Sequence, residues 1–232
     1  MNADPTRLVV VSAGASNPSS TRMLADRIAQ RVTSRGREGG HDIAVEVIEV
    51  RELLPELPQA LSSRFMGPAF TRAIEALTRA DGIIAATPVY KAAASAAFTG
   101  FFQVLEDDLL IGKPMVLAAT AGTSRHSLVA DTEMRSLFAY MRALPVPTSL
   151  FAAPEDMNSE GLGSRIDRAA RELTALMAAG FADAVRGDTW HHYSHEFGSA
   201  ANAEASVDFD SDLMKLATGG TLSRPKSQEK AE

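Results

Sequence analysis

Short apolar runs alternating with amphipathic stretches set the rhythm of this chain. Leu8 to Ser12 and Gly82 to Ala86 are apolar at nearly every position, the pattern of strands buried on both faces. Met115 to Ala119 and Thr148 to Ala152 read as two more strands. Ile43 to Val50 is different. Ile43, Val45 and Val47 alternate, with Glu46 and Glu49 between, which predicts a less buried strand. Between strands the period lengthens. Leu24, Ile28 and Val32 stand four apart in a helix predicted over about 20–34, with Gly36, Gly39 and Gly40 to end it. Further helices are predicted over 70–79, 95–105, 127–143 and 164–185. Residues 51–69 hold Pro55, Pro58 and Pro68 and read as an excursion loop, and Pro145 and Pro147 break the chain before the fifth strand.

Strand and helix alternate throughout, so the fold is α/β. The sheet is expected to be parallel, with helices on both faces and right-handed crossovers. Five strands in the order 2-1-3-4-5 make a three-layer sandwich over residues 1–186. From Gly187 the composition turns small, polar and acidic. Trp190, Tyr193, Phe197 and Phe209 predict that parts of this 187–232 tail dock on their own subunit or a neighbour, against the alternative of disorder. The formal charge of -6 argues against nucleic acid as a partner. The absence of cysteine removes disulfides, thiolate metal sites and cysteine nucleophiles together. No apolar run approaches the roughly 20 residues that span a bilayer, and MNADPTRLVVVSAG does not read as a signal peptide. A cytoplasmic protein is expected.

Three loops at strand ends carry the candidate chemistry. The first, SAGASNPSST, runs from Ser12 at a strand end to Ser19, Ser20 and Thr21 at a helix start. Helix amino termini attract anions, and hydroxyls add donors without charge. No Gly-Lys-Ser/Thr and no GxGxxG is present, so a phosphate monoester suits the loop better than a nucleoside triphosphate. Helix capping alone is the competing reading. The second loop is TPVYK. Pro88 lacks an amide hydrogen and is expected to take the chain out of the sheet, leaving Tyr90 as a platform for a flat cofactor. The third, ATAGTSRH, offers Gly122 for close backbone approach and Thr123 and Ser124 as donors. Open α/β sheets bind ligands in such a crevice.

These loops resemble those of the NADPH-dependent FMN reductases, a flavodoxin-like family that also includes azobenzene and quinone reductases. The resemblance covers residues 7–185 and rests on SAGASNPSST, on Thr87-Pro88-Val89-Tyr90 with its following small-residue helix, and on AGTSRHSLVADTEMR. AGTSRHSL and DFDSDLMKLATGG are similar to the subfamily serving luciferase-like flavin monooxygenases. The resemblance implies that Ser12, Ser19, Ser20 and Thr21 hold the FMN phosphate. It implies that Pro88, Val89 and Tyr90 line the isoalloxazine with Lys91 nearby, and that Ala121, Gly122, Thr123 and Ser124 close its other edge. It implies hydride transfer from NADPH or NADH to flavin N5, assembly as a homodimer or homotetramer, and delivery of reduced FMN to a separate monooxygenase. One feature departs from the family pattern: Arg22 follows Thr21 instead of lying between the hydroxyl residues.

Rival readings keep FMN bound for reduction of quinones, azo dyes or chromate, or make the chain a flavodoxin-type electron carrier. No acid–base residue is assigned, because hydride transfer needs none. His191 and His195 have a metal-capable spacing if helical, but no matching carboxylate accompanies them. Beside the third loop, His126 could contact flavin or nicotinamide phosphate or simply bond the helix start, and Arg125 could pair with the 2′-phosphate of NADPH or stand as a plain surface arginine.

Overall fold

A computed structural model describes residues 5–186. Trp190, Tyr193, Phe197, Phe209 and the histidines at 191, 192 and 195 lie outside the described residues. β1 (Thr6–Ser12) is central, paired in parallel with β2 (Ile43–Glu49) on one side and β3 (Gly82–Tyr90) on the other. β3 pairs in turn with β5 (Pro114–Thr120). The fifth position is shared by β6 (Leu144–Pro145) and β7 (Leu150–Ala152), both parallel to β5. The expected order 2-1-3-4-5 is therefore present with its last strand split. The split has a local cause. Leu144 and Val146 donate to the carbonyls of Lys113 and Met115, but the next amide on that side, Thr148, donates to Glu172 at 2.8 Å, as does its hydroxyl, instead of to β5. The strand thus starts two residues later than the Thr148 expected from the sequence.

Alternate residues of the strands feed two cores. Val9, Val11, Ile83, Ala85 and Leu117 face α4 (Pro68–Arg79) and α5 (Ala96–Gln103), where Phe70, Phe98, Phe101, Phe102 and Phe138 pack together. Leu8, Val10, Ile84, Val116 and Ala118 face α1 (Ser20–Glu38) and α7 (Glu160–Ala178). Arg31 and Arg35 of α1 converge on Asp167 of α7 at 2.5 and 2.8 Å. Their hydrogen bonds, Arg35 first, hold its carboxyl down at about 2.

Several sequence expectations need correction. Gly36 does not stop α1 but lies inside it, because a Cβ there would meet Ile43 Cδ1 at 2.4 Å; the glycine lets the helix press on β2. The excursion is not a plain loop. It forms α2 (Val50–Leu53) and α3 (Leu57–Ser63), burying Leu53, Leu57 and Ala60. Pro58 and Pro68 sit in the first turns of α3 and α4, where a missing amide hydrogen costs nothing. The helix expected over 127–143 is a π-wound stretch, Ala130–Met134, leading into α6 (Arg135–Tyr140). The last helix ends at Ala178, and α8 (Phe181–Arg186) follows Gly180 at φ 59°. No described helix is long and apolar enough to cross a membrane.

Lys113 is only 2% exposed, at the start of β5. Its ammonium donates to the carbonyls of Thr78 and Ala80 at 2.9 and 2.7 Å, closing the end of α4. Burial, helped by Arg186 and opposed by Asp81 and Asp183, pushes its pKa down from 10.5 to about 8. Between those two values the unfolded chain binds more protons than the native one, so this residue makes stability rise with pH across that window. Denaturant melts at pH 8 and pH 10 should show the rise in wild type and lose it in Lys113→Met; equal pH slopes in the two proteins would refute the assignment.

Candidate active site

β1, β3 and β5 are neighbours and parallel, so the loops that follow them leave the same edge of the sheet. Ser12 stands opposite Ala86, and Pro88 opposite Thr120. Ser12 continues the face of Leu8 and Val10 and so lies on the α1 side. It is fully buried, yet its hydroxyl has no hydrogen-bond partner among the described residues. A buried, unpaired hydroxyl costs about 1–3 kcal/mol, which points to a ligand partner.

The α1 amino end closes over this position. Ser19 is the cap, accepting from the Arg22 amide at 3.2 Å. Gly14 lies so close that a Cβ on it would meet Ser19 Oγ at 1.9 Å. Thr21 is turned inward, its hydroxyl 2.7 Å from that of Thr120, and both are buried. This bond braces the first turn of α1 on β5, across β3. Ser20 is exposed on the same turn. The first turn of α1 holds no acidic residue, so its dipole is uncompensated by the protein. Arg22 points elsewhere, pairing with Asp26 at 2.7 Å and with Glu49. Arg51 instead reaches the loop, donating to the Ser16 carbonyl at 3.2 Å.

The second loop differs from expectation. β3 does not end at Thr87-Pro88 but runs on to Tyr90 and turns back as β4 (Ala93–Ala94), antiparallel to it. The proline is tolerated because of its side of the ladder. Ala86 bonds toward β1, accepting from Ala13 at 2.9 Å. Pro88, two residues on, faces the same way, past the end of β1, where no ladder donor is required. Its carbonyl accepts from Ser95 at 3.1 Å. Thr87 lies on the other face, where its Oγ1 accepts from the Ser95 amide at 3.1 Å and contacts Ser95 Oγ at 3.2 Å. Ser95 also caps α5. Val89 is buried and Tyr90 is 55% exposed. Lys91 and Ala92 form the turn with φ of 52° and 65°, values that L-residues rarely adopt. Ala92→Gly should therefore raise the melting temperature by a few degrees, about 1 kcal/mol; a lower value by calorimetry would contradict the strain.

In the third loop Ala121 is half-buried, its amide donating to Ala152 at 3.3 Å. Gly122, Thr123 and Ser124 are exposed, and a 3-10 turn covers Ser124–His126. A Cβ at Gly122 would meet nothing within 4 Å, so the chain's own packing does not demand glycine there. The structure thus brings the three predicted loops to one edge. Thr120 was missed by the sequence reading, although it continues the α1-side series of Val116 and Ala118 by steps of two.

The family model for NADPH-dependent FMN reductase matches residues 6–158. The chain belongs to that family. Its solved relatives include an oxidoreductase from Corynebacterium diphtheriae, 43% identical, with a TM-score of 0.74 over 76% of this chain and 99% of the other. An NADH-dependent FMN reductase, SfnE, of Pseudomonas putida is 31% identical over 75% of this chain and 94% of its own length. An NADPH-dependent FMN reductase of Pseudomonas aeruginosa is also 31% identical, over 74% and 92%. FMN reductases of this family take electrons from NADH or NADPH, and FMN with a reduced nicotinamide dinucleotide is what this chain works on. The orphaned Ser12 hydroxyl and the acid-free α1 terminus fit the phosphate end of that flavin.

Proposed function

We propose that the chain oxidises NADH or NADPH and passes the hydride to FMN seated at this edge of the sheet. Bound FMN supplies the hydride-accepting ring. Ser12, Ser19 and Ser20, with the α1 amides, hold the phosphate, while Thr21 and Thr120 keep that terminus in place. Pro88, Val89 and Tyr90 support the isoalloxazine, Lys91 adds a positive charge nearby, and the backbone of Ala121, Gly122, Thr123 and Ser124 meets its other edge. The observation that carries the assignment is Ser12 Oγ, fully buried on the α1 side of the sheet and unpartnered among the described residues. Purified protein mixed with FMN and each nicotinamide in turn should oxidise at least one of them. No turnover with either would end this reading.

Delivery of reduced FMN to a separate flavin monooxygenase is part of the same proposal. It is supported by the open Tyr90 platform, since a flavin held on an exposed ring can leave. Dialysis tests it: FMN that never exchanges would restrict the chain to bound-flavin reduction of quinones, azo dyes or chromate. Residues 1–186 are proposed as the catalytic domain and 187–232 as an added segment. A homodimer or homotetramer is supported by Leu61, Phe65 and Tyr140, large side chains left exposed to solvent. A cytoplasmic location follows from the need for reduced nicotinamide.

A further inference from the structure

The β3–β4 hairpin is held in a conformation its own residues resist. Lys91 and Ala92 both have positive φ, where asparagine and glycine are the usual occupants. Only Tyr90↔Ala93 and Val89↔Ala94 pair along the hairpin. Tyr90 and Ala93 flank the two-residue turn, and Ser95 donates inward to Pro88. By alternation, the Ala94 amide between them faces away from β3. It would be a bare edge donor. Instead it donates to Glu133 Oε2 at 3.0 Å, a contact 39 positions away in sequence.

Glu133 stands on a firm base. It belongs to the π-wound Ala130–Met134 stretch, whose Ala130 and Met134 are buried. Asp131 of the same stretch is bonded to Ser149 Oγ at 2.7 Å and to Arg135 at 3.0 Å. Arg135 reaches on to the Val146 carbonyl at 3.3 Å. Two acids of one turn thus divide their work, Asp131 tying the stretch to the β6–β7 connection and Glu133 holding the hairpin.

We infer that Glu133 is a positioning residue for the flavin-ring loop, acting through the Ala94 amide to keep Tyr90 and its turn in the ligand-ready form. This rests on the reading that FMN lies against Tyr90. Without the clamp, relaxation of the strained turn would move the platform before any flavin arrives.

The test uses flavin-free full-length protein and three forms: wild type, Glu133→Ala and Glu133→Gln. Amide hydrogen exchange across residues 88–96 is measured without ligand, and FMN affinity by fluorescence titration. Glu133→Ala should speed exchange in that segment and raise the FMN Kd about tenfold, as loss of a charge-assisted hydrogen bond implies. Glu133→Gln keeps an acceptor and should stay within about threefold of wild type. Unchanged exchange at 88–96 in Glu133→Ala overturns the clamp. Faster exchange with an unchanged Kd overturns its role toward flavin. A uniform rise over the whole sheet would mark a merely structural residue and overturn it too. Failure of the site reading is separate: wild type itself would then take up no FMN, while the exchange data would still judge the clamp.

Discussion

Gly14→Ala is expected to raise the FMN Kd at least about tenfold while leaving riboflavin affinity within about twofold. The added Cβ would stand 1.9 Å from Ser19 Oγ and 2.9 Å from Ser19 Cβ, so Ser19 must move. Its cap on the Arg22 amide is then lost, which alone costs about 1 kcal/mol of helix stability. The shift also displaces a hydroxyl from the anion position, and a hydrogen bond to a charged group contributes about 1.5–3 kcal/mol. Riboflavin has the same ring system and no phosphate. On the proposed placement it therefore reports only on the Tyr90 and Gly122 side of the site. Parallel titrations of both flavins separate the two halves. Equal losses for FMN and riboflavin would mean that the phosphate does not lie at the α1 terminus. Unchanged FMN binding would remove the first loop from the site altogether.

The layer order was legible because buried parallel strands cannot hide their pattern. LVVV at 8–11 and IIAA at 83–86 have no polar position to give to solvent, which marks both as strands buried on two faces. What failed to show was anything decided by a neighbour. Pro88 reads as a strand breaker from sequence, and only the early end of β1 makes it harmless. Pro58 and Pro68 read as loop residues because a helix start and a helix stop carry the same letter. Gly36 reads as a stop because its real reason, contact with Ile43, belongs to the next strand. Thr120 had a signal in the two-residue step from Ala118, but a threonine after an apolar run looks like the strand's end. Glu133 had none, since its partner is a backbone amide and no side-chain type records that.

The second large effect lies on the opposite core. Phe102→Ala should destabilise the protein by about 3–5 kcal/mol, a fall near 10 °C in melting temperature for a domain of this size. Phe102 is 1% exposed, and its ring centroid lies 4.9, 5.0 and 4.8 Å from those of Phe98, Phe101 and Phe138. All three contacts are edge-on, the geometry that adds to simple burial. The cluster joins α5, which Ser95 caps, to α6, which continues the stretch carrying Glu133. Ser95 and Glu133 are the two outside holds on the Tyr90 hairpin, so both hang on these rings. Measured below its melting transition, Phe102→Ala should therefore weaken FMN and riboflavin alike, by similar factors. That is the opposite of the Gly14→Ala pattern, because the proposed phosphate position, at Ser12 and the α1 amino end, lies on the α1 side of the sheet, away from these rings. Phe102→Leu, which refills much of the space, should fall between wild type and alanine in both stability and affinity. A loss confined to FMN would show that the ring cluster does not support the isoalloxazine loop, and a melting change below about 3 °C would show that the cluster is not a centre of stability.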